Sequence, residues 1–137
     1  MEATHDSAAT VPTLILCELA DASALGVETF SPFCLKVHRA LRAKGLAYQR
    51  RHGREPASFR ELNPASQVPV LLVGDEPVAD STAILRKLEE LPGPSLLEGL
   101  DGRARAEALL WEELADTAVN GFLVAARWAD DENWPFV

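Results

Sequence analysis

A proline stands inside the most strand-like run of this chain. Val68 to Val73 (VPVLLV) is apolar and β-branched enough for the middle of a sheet, yet Pro69 has no N–H to give to a ladder. Either the run is an edge strand that tolerates proline, or the chain makes a special bend at Val68-Pro69 before it enters the sheet. Gly74-Asp75 follows at once and Glu76 to Ala79 begins a return strand, so the segment reads as a hairpin.

The elements around the hairpin follow from local pattern. Thr13 to Leu19 (TLILCEL) is nearly continuous in apolar residues, as expected of a strand buried on both faces. Ala20 to Phe30 is a loop, after which Ser31-Pro32 opens a helix, with serine as cap and proline at the first helical position. Phe33, Val37, Ala40 and Leu41 form its apolar face, His38 reads as a helix-face residue, and Gly45 ends it. Leu46 to Arg50 alternates like a half-buried strand, a short helical piece spans about Pro56 to Leu62, and Asn63-Pro64 is a turn. A second helix starts with Ser81 as its N-cap and carries Ile84, Leu85, Leu88 and Leu91, until Pro92-Gly93-Pro94 breaks it. From Asp101 one long helix runs to about Ala129, with Ala104, Ala108, Trp111, Leu114, Ala115, Ala118, Phe122 and Ala125 as the expected buried stripe. The predicted architecture is α/β, a β-α-β-α-β-β-α domain followed by the start of an all-α domain. Residues 1–12 are expected to be a disordered leader, 13–91 the α/β domain, 92–100 a linker and 101–137 a helical segment.

Charge and cysteine usage narrow the class of function. With 47% hydrophobic and 25% charged residues the chain has the balance of a folded soluble protein, and its net charge of −8 argues against a nucleic-acid partner. Eight Lys or Arg lie between Leu35 and Arg60 against one acid, Glu55, which suits a small anionic ligand or, more plainly, a solvated helix face. Cys17 and Cys34 have neither metal-type spacing nor the density of a disulfide scaffold, so reduced thiols and a cytoplasmic location are expected, with no metal. The N-terminus lacks the basic and apolar regions of a signal peptide, and no apolar run approaches the roughly 18–20 residues of a membrane span.

Three segments, in this order, resemble the N-terminal domain of glutathione transferases. They are Ser31-Pro32-Phe33-Cys34 at a strand–loop–helix junction, Gln67-Val68-Pro69-Val70-Leu71 after Asn63-Pro64, and Asp80-Ser81-Thr82-Ala83-Ile84 opening a helix. The resemblance covers roughly Thr13 to Leu91 and implies a thioredoxin-like fold with glutathione as cosubstrate. It assigns to Ser31 a hydrogen bond to the glutathione sulfur at a helix N-terminus, where an anion is favoured. It implies a cis bond at Val68-Pro69, backbone pairing of Val68 with the cysteinyl unit of glutathione, and contact from Gln67. Asp80 and Ser81 would hold the γ-glutamyl end, with Asp80 a shorter form of the usual Glu or Gln. SPFC also resembles the redox motif of glutaredoxins and omega-type transferases, with Ser31 in place of the attacking cysteine. Cys34 is then either a buried structural thiol or the reactive sulfur. The long helix with Trp111 resembles the start of the family's helical C-terminal domain in shortened form.

Three functions remain open at this level. One is a glutathione-dependent transferase in which Ser31 stabilises the thiolate for attack on a small electrophile. Another is a non-catalytic dimerisation or docking module on the same fold. The third is a glutathione-dependent thiol oxidoreductase using Cys34. Trp111, Phe122, Trp128, Trp134 and Phe136 offer more aromatic surface than one helix buries against one domain, so a homodimer is expected.

Overall fold

A computed structural model describes residues 11–21 and 23–129, and the first ten residues of the leader expected over 1–12 and the aromatic residues Trp134 and Phe136 lie outside them. The chain divides into one unit ending at Leu96 and a second starting at Leu97.

In the first unit, strands β1 (Leu14–Leu19), β2 (Gln49–Gly53), β3 (Val70–Val73) and β4 (Glu76–Ala79) form one sheet in the order β2-β1-β3-β4. β1 runs parallel to β2 and antiparallel to β3, and β3 and β4 form the expected antiparallel hairpin. Side chains alternate across a strand, so Leu14 and Leu16 join one core cluster while Cys17 joins Phe59 and Val70 in another. The larger cluster is closed by helix α1 (Pro32–Ala43) through Val37, Ala40 and Leu41, and by α2 (Ser81–Glu89) through Ile84 and Leu88. The spacing Val37-Leu41 and Ile84-Leu88 is that of one helix face.

The helix ends explain where the sequence pattern and the structure part. α1 starts as its residues suggest: Ser31 Oγ accepts the Cys34 N–H at 3.3 Å and Pro32 occupies the first turn. It ends in a Schellman motif, with Gly45 at φ +67° donating to Arg42 O and Leu46 N–H donating to Leu41 O. That closure uses Leu46, which is buried beside Leu41, so β2 begins only at Gln49 and not at Leu46. The helical piece expected over Pro56–Leu62 is a 3₁₀ turn, Pro56–Phe59. At α2 the cap is Asp80, not Ser81: the Asp80 side chain accepts the Ala83 N–H at 2.9 Å from a residue at φ +76°. Ser81 is thus the first helical residue, and it is buried. The Val68–Pro69 bond is cis, and the ladder begins at Val70, so the proline withholds no donor from the sheet.

The second unit is a helical rod made of α3 (Gly102–Leu114), a π-helical stretch (Ala115–Val119) and α4 (Asn120–Trp128). Asp101 caps it by accepting the Ala104 N–H at 2.8 Å. The stripe expected to be buried is not: Trp111 is 69% and Phe122 75% exposed, and α3 buries no residue. The π stretch adds to the mismatch, because five residues per hydrogen-bonded turn shift the phase of side chains on either side of it. Among the described residues no helix is long and apolar enough to cross a membrane.

A buried lysine ties the end of α1 to the segment after α2. Lys44 is 3% exposed, donates to Pro94 O at 3.0 Å and stands 3.6 Å from the Glu89 carboxylate. Gly93 is the residue this clasp requires: its φ is +112°, and a Cβ there would lie 2.4 Å from the Lys44 carbonyl oxygen. Gly93→Ala is expected to destabilise the first unit by about 1–3 kcal/mol, the scale of a strained backbone position. Urea unfolding checks it, and an unchanged midpoint would refute the clasp.

Candidate functional site

The register of the sheet gathers most of the sequence-selected residues at one end. Cys17 of β1 pairs with Val70 of β3, and Val70 pairs with Ala79 of β4. Val68-Pro69 immediately precede Val70, Asp80-Ser81 immediately follow Ala79, and the loop to Ser31 leaves β1 two residues beyond Cys17. The helix starts are tied as well, since Lys36 Nζ donates to Thr82 Oγ1 at 3.3 Å. Two helix N-termini and the bend ahead of β3 thus share one edge, where the positive ends of two helix dipoles favour an anion.

Each residue there has a definite state. Ser31 is half-buried, and its Oγ accepts from Cys34 N–H. Val68 is half-buried and Pro69 buried, whereas Gln67 is exposed with its carbonyl accepting from Asn63 Nδ2 at 2.9 Å. Asp80 is exposed beside buried Ser81. Cys34 differs from the rest. It is fully buried, and burial pushes its thiol up to about 11, against the lowering effect of hydrogen bonds from Ser31 and Thr29. Cys17 is buried too, and burial raises its thiol in the same way. An attacking sulfur needs exposure and a lowered pKa, and Cys34 has neither.

Next to this edge lies a charged cluster that pattern reading missed. Glu18 sits on the same face of β1 as Leu14 and Leu16, is fully buried, and meets α1 at His38. Its Oε2 is 3.1 Å from His38 Nε2, and its Oε1 accepts from Arg50 Nε at 2.6 Å. His38, expected on a helix surface, is fully buried, with Nδ1 2.6 Å from the Tyr48 hydroxyl. With a proton on Nε2 the ring donates to Glu18, and Nδ1 meets the Tyr48 hydroxyl. Burial by itself would raise the Glu18 carboxyl, but the hydrogen bonds from His38 and Arg50 outweigh it and bring it down to about 2. The signal in the sequence was a lone acid inside an apolar strand (LILCEL), with His38 one turn from Cys34 on the buried side of α1. Among the described residues no cluster of His, Cys, Asp and Glu is arranged to hold a metal ion.

Comparison with known proteins agrees with this geometry. The family described as glutathione S-transferase, N-terminal domain, matches residues 30–91. A glutathione transferase of Zea mays is 33% identical over 99 residues, covering 68% of this chain and 44% of the relative. Residues 30–91 belong to the glutathione transferase N-terminal domain family. A rice glutathione transferase solved in complex with glutathione is 27% identical, with a TM-score of 0.61 over 77% of this chain and 48% of that one. A tau-class glutathione transferase from mango, 22% identical with a TM-score of 0.66, covers 90% of this chain and 55% of that one and bears out the thioredoxin-like fold. The chain spans about half the length of the curated glutathione transferases it matches.

The buried groups give two expectations. In the folded protein Cys34 should react with iodoacetamide near neutral pH far more slowly than a free thiol, at least about a hundredfold, since its thiolate fraction is minute. Mass spectrometry of time points in buffer and in denaturant reads this, and labelling as fast as in denaturant would overturn the burial. Glu18 has a folded value of about 2 against an ordinary 4.5, so its contribution to stability is present above pH 4.5 and is lost as pH falls towards 2. Glu18→Gln should therefore lower stability near neutrality and flatten the pH dependence of the unfolding midpoint in that acid window.

Proposed function

We propose that the first unit binds glutathione at the shared edge of α1, α2 and β3, and that the protein is a glutathione-dependent transferase acting on a small electrophile. The observation that carries this reading is the Cys17–Val70–Ala79 register, which draws Ser31, Val68-Pro69 and Asp80-Ser81 to one end of the sheet. Membership of the family and the glutathione complex of the rice relative support it. In this reading the α-carboxylate of the γ-glutamyl end meets the N-terminus of α2, with the Ser81 N–H and hydroxyl as donors and Asp80 facing the ammonium. The cysteinyl unit pairs with the backbone N–H and C=O of Val68 like an added strand, and Gln67 flanks the tripeptide. The glutathione thiol then lies at the N-terminus of α1. There the Ser31 hydroxyl donates to the sulfur, which strengthens as the thiol loses its proton, so the thiolate is the favoured form for attack.

Cys34 supports the serine route by exclusion, because its buried, high-pKa sulfur is a poor nucleophile. A second reading keeps the fold and drops the chemistry, making the chain a docking or dimerisation module. The exposed Trp111 and Phe122 of the helical unit favour that alternative, and in either reading they support a homodimer. Two free, buried cysteines suit a cytoplasmic setting.

Calorimetric titration with reduced glutathione and turnover of a generic aryl halide test the proposal together. Ser81→Ala should weaken glutathione binding about tenfold, the scale of one hydrogen bond to a charged group. Ser31→Ala should lower kcat at least about tenfold while changing glutathione affinity much less, because its bond acts on the anion. Absence of binding up to about 10 mM, well above the usual range of substrate affinities, would reject the transferase in favour of the docking module.

A further inference from the structure

The thiolate chemistry proposed above leaves the buried Glu18 cluster without a role, although it lies directly under the loop that delivers Ser31. Arg50 connects the two. Its Nε donates to Glu18 Oε1 at 2.6 Å, and its Nη2 donates to the carbonyl of Glu28 at 2.6 Å. The first contact has a rigid seat: Glu18 is fully buried and is held from its other oxygen by His38, itself held by Tyr48. The second reaches the backbone of the β1–α1 loop three residues ahead of Ser31. The Glu28 side chain is fixed independently, because Arg42 pairs with its carboxylate. From Glu28 the chain of contacts continues to the site. Thr29 is buried and its Oγ1 accepts the Ser31 N–H at 3.4 Å, and Ser31 Oγ accepts the Cys34 N–H at 3.3 Å.

Among the described residues, apolar side chains do little to fix this part of the loop. Leu25 is 73% and Phe30 49% exposed, so apolar packing does not set its path. A planar guanidinium that holds two acceptors in a fixed geometry is suited to the task, whereas an ammonium on a flexible stem is not. We propose that Arg50, seated on Glu18 and seconded by Arg42 on Glu28, is a positioning residue that fixes the Glu28–Ser31 segment and so aims the Ser31 hydroxyl at a bound thiolate. The plainer role for Arg50, neutralising a buried carboxylate, needs only its charge. Positioning needs the fork. The assignment rests on the reading of Ser31 as the donor to the glutathione sulfur.

Arg50→Lys separates the two roles, since it keeps the charge beside Glu18 and gives up the rigid fork that sets Glu18 Oε1 and Glu28 O in one geometry. The first readout is amide hydrogen exchange on the protein without ligand. Exchange at Ser31 and Cys34 should accelerate roughly tenfold, the loss expected from one hydrogen-bonded tie, while amides of β3 and α2 keep their rates. Unchanged exchange at Ser31 and Cys34 overturns the proposal, as does acceleration spread evenly over the unit, which marks a purely structural role. The second readout is the apparent pKa of the glutathione thiol in the complex, followed by thiolate absorbance, together with kcat. Arg50→Lys should raise that pKa and lower kcat with the KM for glutathione little changed, and should add nothing further in a Ser31→Ala background. An equal penalty in both backgrounds shows that Arg50 does not act through Ser31 and overturns the proposal. If Arg50→Lys does not fold, Arg42→Gln, a change at an exposed side chain, must speed exchange at the same two amides or the proposal falls. Wild-type protein that ignores glutathione overturns the reading of Ser31, while the exchange data still decide whether Arg50 fixes the segment.

Discussion

β1 lies between a parallel and an antiparallel neighbour, and the pairing of its last residues sets where everything else in the first unit can go. Cys17 opposite Val70, and Val70 opposite Ala79, bring three chain segments that are far apart in sequence to one end of the sheet. The same alternation that turns Leu14 and Leu16 towards α1 and α2 turns Glu18 that way also, and sends Cys17 to the other face. Shifting this register by one residue would exchange the faces, exposing leucines and stranding the acid, so pairing and burial enforce each other.

A carboxylate in that position is costly to desolvate, and it is tolerated because its partners arrive from two further elements. His38 approaches from α1 and Arg50 from β2, each within hydrogen-bonding distance of a different oxygen. Such an arrangement contributes less to net stability than its contacts suggest, since most of the attraction offsets the loss of hydration. Its effect is directional. Losing Arg50 leaves the buried carboxylate short of its cationic partner, and losing His38 takes the hydrogen-bond partner from its other oxygen, so the strand, the helix and the loop above them are held to one relative arrangement.

Much of this was legible in the sequence because local chemistry forced it. Ser31-Pro32 could hardly do other than open a helix, Gly74-Asp75 turns a hairpin, and proline at 69 required that the ladder begin after it. What escaped was decided by backbone geometry and by partners that residue type alone does not declare. The cap of α2 passed from Ser81 to Asp80 because Asp80 adopts a left-handed conformation in which its carboxylate reaches the Ala83 N–H. β2 started late because Leu46 was already committed to closing α1. The helical stripe through Trp111 and Phe122 was read correctly as apolar but wrongly as buried, since periodicity reports that a face is greasy and not what covers it. Glu18 and His38 were passed over for a related reason: a polar residue at a core position declares itself only when its partners are known.

Both cysteine sulfurs of the chain are out of solvent's reach. A folded protein of this kind cannot be captured as a mixed disulfide by the small thiols around it, and it has no covalent means of storing an encounter with one. Any thiol it holds is held by hydrogen bonds and charge, and is released as freely as it arrives. Occupancy then follows the free concentration of the reduced ligand and leaves no covalent record on the protein. Under the proposed function, the serine at the head of α1 would hold a thiol without keeping any covalent mark of it, where a cysteine in its place could carry one.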